Sequence, residues 1–162
     1  MERVSKINYH LDIAQTVSER STCLRKKYGA IIVKNDIIIS TGYNGAPRGR
    51  KNCSDLSYCI REKLNIPRGE RYELCRSVHS EANAIIAASR EEMLDATLYM
   101  TCVDPTTDEI VPDTCSCGMC KRLIINAGIS TVIIRNTKTD YNVINVRDWI
   151  FNDDSLTGQF GY

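Results

Sequence analysis

Apolar residues recur along this chain in two rhythms, one suited to helices and one to strands. Near the start, Tyr9, Leu11, Ile13, Ala14 and Val17 follow the spacing of an amphipathic helix. Two β-branched runs come next, residues 30–33 and 37–41, separated by Lys34-Asn35-Asp36. A turn rich in residues that tolerate the left-handed region, set between two such runs, predicts a hairpin. Tyr43-Asn44-Gly45-Ala46-Pro47 reads as a loop. Residues 48–76 are polar, cysteine-bearing and weakly periodic, an irregular stretch long enough to need something that holds it. Residues 80–89 are small and apolar, with Ala82, Ala84, Ile85 and Ile86, and predict a buried helix. A strand is expected over 97–101, a helix over 117–127 stopped by Gly128, and another strand over 131–134. Val146, Trp149 and Ile150 should pack a short final element against the sheet.

The order α-β-β-α-β-α-β predicts a three-layer α/β/α sandwich around a mixed central sheet of about five strands. Strand–helix–strand units around residues 79–81 and 117–120 imply parallel neighbours joined by right-handed crossovers. Both segments then open helices at one edge of the sheet, where open α/β folds place their sites. A chain of 162 residues is expected to form a single domain over 1–162 with its own core. Its 43% hydrophobic and 25% charged residues fit a soluble globular protein. A net charge of +1 argues against a duplex nucleic-acid footprint, while a small anionic substrate needs only local cations. The first twenty residues lack the apolar core of a secretory signal, and no stretch approaches a membrane span. The expected location is the cytoplasm, with no membrane partner. There, eight cysteines point to metal or catalytic use rather than disulfides.

The chemistry concentrates in His79-Ser80-Glu81 and Cys117-Gly118-Met119-Cys120. One imidazole and two thiolates can hold a zinc ion on three protein ligands, with a fourth position left for water, as in catalytic sites. The two cysteines, three apart, are neighbours on a helix's first turn, where the helix N-terminus lowers thiol pKa. Zinc brings the pKa of its bound water from about 15.7 to about 7. Glu81, beside the metal but not on it, is placed to relay protons. The competing reading is a structural zinc with Glu81 as a solvated helix residue, an option that the spare thiols Cys102 and Cys115 leave open.

H-x-E followed by P-C-x-x-C is the pattern of zinc nucleobase deaminases. Further segments extend the likeness: Thr22-Cys23-Leu24-Arg25, Gly29-Ala30-Ile31-Ile32-Val33-Lys34, Gly42-Tyr43-Asn44-Gly45-Ala46-Pro47, Glu73-Leu74-Cys75-Arg76 and Ala96-Thr97-Leu98-Tyr99. With His79-Ser80-Glu81-Ala82-Asn83-Ala84-Ile85 and Cys120 through Ile129, this ordered set resembles the deoxycytidylate deaminase family from about residue 10 to 135. The resemblance implies a cytidine deaminase-like fold and zinc-dependent hydrolysis of dCMP to dUMP with release of ammonia, feeding thymidylate synthesis. It implies that Asn44 contacts the nucleoside and that Arg25 binds the monophosphate, for which a guanidinium fork is suited. Against these stand an ordinary Asn-Gly turn and a merely solvated arginine. It further implies a second, structural zinc on Cys23, Cys53, Cys59 and Cys75, against which stands the reading of reduced core thiols. A homo-oligomer, with the hexamer as one form, is implied as well.

Two features depart from the family pattern. Ser116 stands where the family has proline, and about a dozen extra residues, 103–114, precede the ligands. Cys115 makes the register ambiguous, but the Cys117/Cys120 spacing followed by Lys121-Arg122-Leu123-Ile124-Ile125 favours those two. The alternatives are a deaminase of another cytosine nucleoside or nucleotide, a tRNA adenosine deaminase, or a non-catalytic zinc-stabilised binding module. Near-zero net charge and the lack of a basic-aromatic stripe count against tRNA. An intact Glu81 counts against the binding module.

Overall fold

A computed structural model of the protein describes residues 1–153 and 156. Residues 154–155 and 157–162 of the expected domain lie outside the described ones. The hairpin is formed by β1 (Lys27–Lys34) and β2 (Ile37–Tyr43), joined through Asn35 and Asp36, both at positive φ. With β3 (Thr97–Val103), β4 (Thr131–Arg135) and β5 (Tyr141–Asn145) they make one five-stranded sheet in the order β2-β1-β3-β4-β5. The strand β3 is antiparallel to β1 and parallel to β4.

Alternation along the strands separates two cores. Ile31, Val33, Tyr99 and Ile133 face helix α1 (Lys6–Ser18), whose Leu11 and Ala14 are fully buried against them. Ala30, Ile32, Leu98, Met100, Val132 and Ile134 form the other core with Ala84 and Ile124. Those two residues belong to α4 (Ser80–Ile86) and α6 (Gly118–Ala127), so the sandwich has its three layers. Among the described residues, no helix is long and apolar enough to cross a membrane.

Several boundaries differ from expectation. The helix expected over 80–89 ends at Ile86, because Ser89 caps a new turn, α5 (Arg90–Met93). Its hydroxyl accepts from the Glu92 N–H, and the Glu92 carboxylate answers the Ser89 N–H, a reciprocal capping box. The helix α6 ends at Gly128, as expected, in the left-handed conformation at φ 83. The unit around residues 79–81 does not give parallel neighbours. The strands β2 and β3 share a direction but β1 lies between them, and only β3 and β4 are adjacent and parallel. Downstream, β5 is a strand that the periodicity did not locate, and Val146, Trp149 and Ile150 belong to α7 (Val146–Phe151) behind it.

The stretch 48–76 folds as short pieces: α2 (Cys53–Leu56), α3 (Ile60–Lys63) and a 3-10 turn, Tyr72–Leu74. Gly45 and Val78 close its ends through paired backbone hydrogen bonds of 3.2 and 2.7 Å. The chain is thereby returned to the sheet edge just before His79.

Candidate metal centre and substrate cavity

His79 is the N-cap of α4 and Cys117 the N-cap of α6. The Cys117 sulfur accepts from the Cys120 N–H at 3.5 Å, so local capping already holds the two cysteines together. Close packing sets the other half. Gly42 in β2 lies so near α4 that an added Cβ would sit 2.3 Å from the Ser80 carbonyl oxygen and 2.4 Å from the Ala84 nitrogen. The Ser40 hydroxyl also donates to the Ala84 carbonyl, 2.7 Å.

This framework brings the His79 Nδ1 to 3.4 Å from both Cys117 Sγ and Cys120 Sγ. Tetrahedral zinc with nitrogen at about 2.05 Å and sulfur at about 2.3 Å spaces those donors by about 3.6 Å, so the trio fits the ion. Their ligand atoms all lie within 4.8 Å of one another. The electrostatics agree. Burial, the largest influence on His79, favours its neutral form, yet hydrogen bonds with Cys117 and Cys75 raise its pKa to about 10. The hydrogen bond with Cys120 leads in lowering Cys117 to about 4, while its bond to Cys117 pushes Cys120 upward. Cys117 is thereby favoured as a thiolate, the form that binds a metal ion.

Glu81, 4% exposed, accepts from the Ser80 hydroxyl at 3.1 Å and reaches the Cys120 side chain. It is buried beside the trio, not solvated. Cys115 is exposed and lies outside the trio, and Cys102 is buried, bonded to the Tyr28 hydroxyl. Ser116 is buried, with no hydrogen-bond partner for its hydroxyl among the described residues. All eight cysteines are free thiols.

The trio opens into a cavity of about 470 Å³ bounded by Arg25, Asn44, Tyr72, His79, Glu81 and Cys117. Asn44 is buried and already committed. Its Oδ1 accepts from the Ser21 hydroxyl (2.5 Å) and the Tyr28 N–H (2.8 Å), and its Nδ2 donates to the Lys26 carbonyl (2.9 Å). It retains one amide hydrogen for a ligand, so it can only donate. Arg25 reaches the cavity while paired with Glu62 at 3.0 Å. Cys23, Cys53, Cys59 and Cys75 line the same cavity. Burial raises the Cys53 pKa, and the charges of Cys23, Cys75 and Cys59 raise it further, so the four are near neighbours. No three of them draw within the 4.8 Å that unites the trio, among the described residues.

Two site residues escaped the sequence reading. Tyr72 sets its ring edge-on to His79, 5.0 Å between centroids and 86° between planes, and the Arg61 guanidinium stacks over Tyr72 at 4.3 Å. Both lie in the irregular stretch, where four-residue helices are too short to show a period. The nearest signal was the conspicuous Arg-Tyr-Glu-Leu-Cys-Arg run itself.

Comparison with known proteins agrees with this geometry. The family model for the cytidine and deoxycytidylate deaminase zinc-binding region matches residues 4–136. The deoxycytidylate deaminase of Mycobacterium phage D29 is 37% identical over 138 residues, 82% of this chain and 96% of that protein. That of Schizosaccharomyces pombe is 32% identical over 87% of this chain, which spans only 39% of that longer protein. The crystal structure of dCMP deaminase from cyanophage S-TIM5 in complex with dCMP and dUMP is similar at a TM-score of 0.57 and 25% identity, covering 85% of each chain.

Proposed function

The chain belongs to the cytidine and deoxycytidylate deaminase zinc-binding family, and on that footing we propose that it hydrolyses dCMP to dUMP and ammonia. The convergence of His79, Cys117 and Cys120 beside a buried, uncoordinated carboxylate carries this reading. His79, Cys117 and Cys120 would hold a zinc ion, and the ion would supply an acidified water as the nucleophile. Glu81 would take one proton from the attacking water and deliver it to the ring nitrogen next to the amino-bearing carbon; it would then take the second, from the hydroxyl now on that carbon, and pass it to the amine as the C–N bond breaks and the carbonyl forms. Water enters and ammonia leaves, with no other reactant. Asn44 donates its remaining amide hydrogen to the nucleoside, and Arg25 turns from Glu62 to the phosphate.

Cys23, Cys53, Cys59 and Cys75 hold a second, structural zinc in this proposal. Their shared cavity and mutual electrostatic coupling support it, and the ion would anchor the segment 48–76. The enzyme works in the cytoplasm, where its thiols stay reduced. It assembles as a homo-oligomer, which the apolar exposure of Ile37 and Ile38 on β2 and of Ile86 on α4 supports.

Ammonia release from a panel of cytosine and adenine substrates, using zinc-loaded protein, tests the activity. dCMP should exceed deoxycytidine in kcat/KM by roughly 10- to 150-fold, the worth of a charge-assisted hydrogen bond. No release from any cytosine substrate would leave a non-catalytic zinc module instead. Equal use of deoxycytidine would remove the phosphate contact.

A further inference from the structure

Arg61 lies on α3 at 5% exposure, in the wall of the substrate cavity. A guanidinium so deeply buried normally has a carboxylate beside it, because removing a charge from water is costly. No carboxylate lies at ion-pair distance from Arg61 among the described residues; Glu73, which feels its charge from farther off, is itself paired with Arg71. Its Nη2 donates to the carbonyls of Pro67 (3.0 Å) and Glu70 (2.7 Å), which contribute dipoles but no net charge. Its Nε is buried without any acceptor. Two neighbouring cations on the cavity wall differ in this respect: Arg25 is paired with Glu62, and Lys26 with Asp104 at 3.2 Å.

A buried guanidinium in a cavity wall with no carboxylate at ion-pair distance is suited to an anion from the ligand. The two successive ring contacts, Arg61 over Tyr72 and Tyr72 against His79, put that charge one aromatic ring away from the metal-binding imidazole. A ligand serving both ends carries its reacting ring at the trio and an anionic group beyond a spacer, as a nucleoside monophosphate does. Arg25 must release Glu62 before it can take a phosphate, whereas Arg61 has no ion-paired carboxylate to release, and only its Nη2 is committed to backbone carbonyls. We propose that Arg61 is a specificity-determining residue that receives the phosphate of the nucleotide substrate, with Arg25 as the auxiliary cation. The assignment rests on the dCMP reading above.

The test uses the zinc-loaded full chain with Arg61→Gln and Arg61→Lys. The quantity read is kcat/KM for dCMP divided by kcat/KM for deoxycytidine. It should fall roughly 10- to 150-fold in the Gln variant and recover only partly with Lys, a point charge without the planar fork. Inorganic phosphate at fixed ionic strength should raise the Tm of the wild type and not that of Arg61→Gln. A purely structural arginine would lower both substrates together, so an unchanged ratio in a folded variant overturns the proposal. Lys can still donate to the Pro67 and Glu70 carbonyls if Gln cannot fold. Independently of either variant, phosphate should shift the Arg61 Nε–H resonance of the wild type, identified by its contact with the Tyr72 ring. A resonance that stays in place overturns the assignment. Should the wild type fail to deaminate dCMP, the functional reading falls separately, and the phosphate titration still decides Arg61.

Discussion

Gly42→Ala tests whether the catalytic half on α4 is placed by close packing against β2. An added methyl would lie 2.3 Å from the Ser80 oxygen and 2.4 Å from the Ala84 nitrogen, both backbone atoms, where ordinary contact begins at 3.4 Å. Neither neighbour can swing aside, so α4 must withdraw by about 1 Å, and a misplacement of that size costs roughly 10²-fold in rate. Overpacking should also cost about 1–3 kcal/mol, lowering Tm by about 2–12 °C at this chain length. Gly29→Ala is the matched control. Its methyl would meet the Ala14 carbonyl oxygen at 2.0 Å, on the opposite face of the sheet, away from His79 and Glu81. Rates of ammonia release, per folded and zinc-loaded molecule and well below either transition, should fall about 100-fold for Gly42→Ala and less than threefold for Gly29→Ala. Zinc content by elemental analysis separates displaced chemistry from lost metal. If Gly42→Ala retains more than a third of wild-type activity, or if both variants lose activity equally, packing of α4 on β2 does not set the catalytic geometry.

Other expectations are more local. Glu81→Gln preserves volume in the buried pocket but removes the proton acceptor, so activity should drop by roughly 10²–10⁴ while zinc content stays at the wild-type level. Survival of activity within tenfold would refute the acid/base role. Elemental analysis of protein purified without chelator should give two zinc ions per chain. Cys53→Ser should lose about one ion and increase proteolysis within 48–76, and Cys120→Ser should lose the other ion together with activity. A wild-type stoichiometry of one zinc removes the second site. Burial alone would raise the Asp12 pKa above its ordinary 3.8, but hydrogen bonds from Lys138 and Arg135 outweigh it and lower the value. The Asp12–Arg135 pair therefore contributes its full stability above that ordinary value and loses it as pH falls through the depressed folded pKa. Urea titrations should show this loss in the wild type and a flatter acid limb in Asp12→Asn; parallel curves would contradict the linkage.

The metal trio was legible because residue chemistry and spacing specify it almost without the fold: a histidine, a carboxylate two positions on, and cysteines three apart. The hairpin was equally legible, since Asn35 and Asp36 suit the positive φ they adopt. Strand order was not. Whether β1 or β2 adjoins β3 depends on which hairpin strand is buried on both faces, and β1 is, through Ala30, Ile31, Ile32 and Val33. That continuous apolar run marks a central strand, a sign that alternation alone does not weigh. The edge strand β5 offers Tyr141 to Asn145 with only partial burial, so no strong period announces it. Asn44 shows the limit on the site itself. Its place in the motif was readable, but that three hydrogen bonds leave it a single free donor is a fact of the tertiary structure.

The bridge between Gly45 and Val78 makes the intervening residues a cassette. Both ends are fastened at one point on the rim, and lengthening such a loop costs only about 0.6 kcal/mol per doubling. Within the cassette lie Arg61 and Tyr72, whereas His79, Glu81, Cys117 and Cys120 stand on the frame outside it. Exchange inside the cassette would therefore alter the cavity wall at Arg61 and Tyr72 while leaving His79, Cys117 and Cys120 on their own helices. The two parts still touch at one place, where Tyr72 and Cys75 meet His79, so exchanges elsewhere in the cassette are the ones that leave the frame undisturbed.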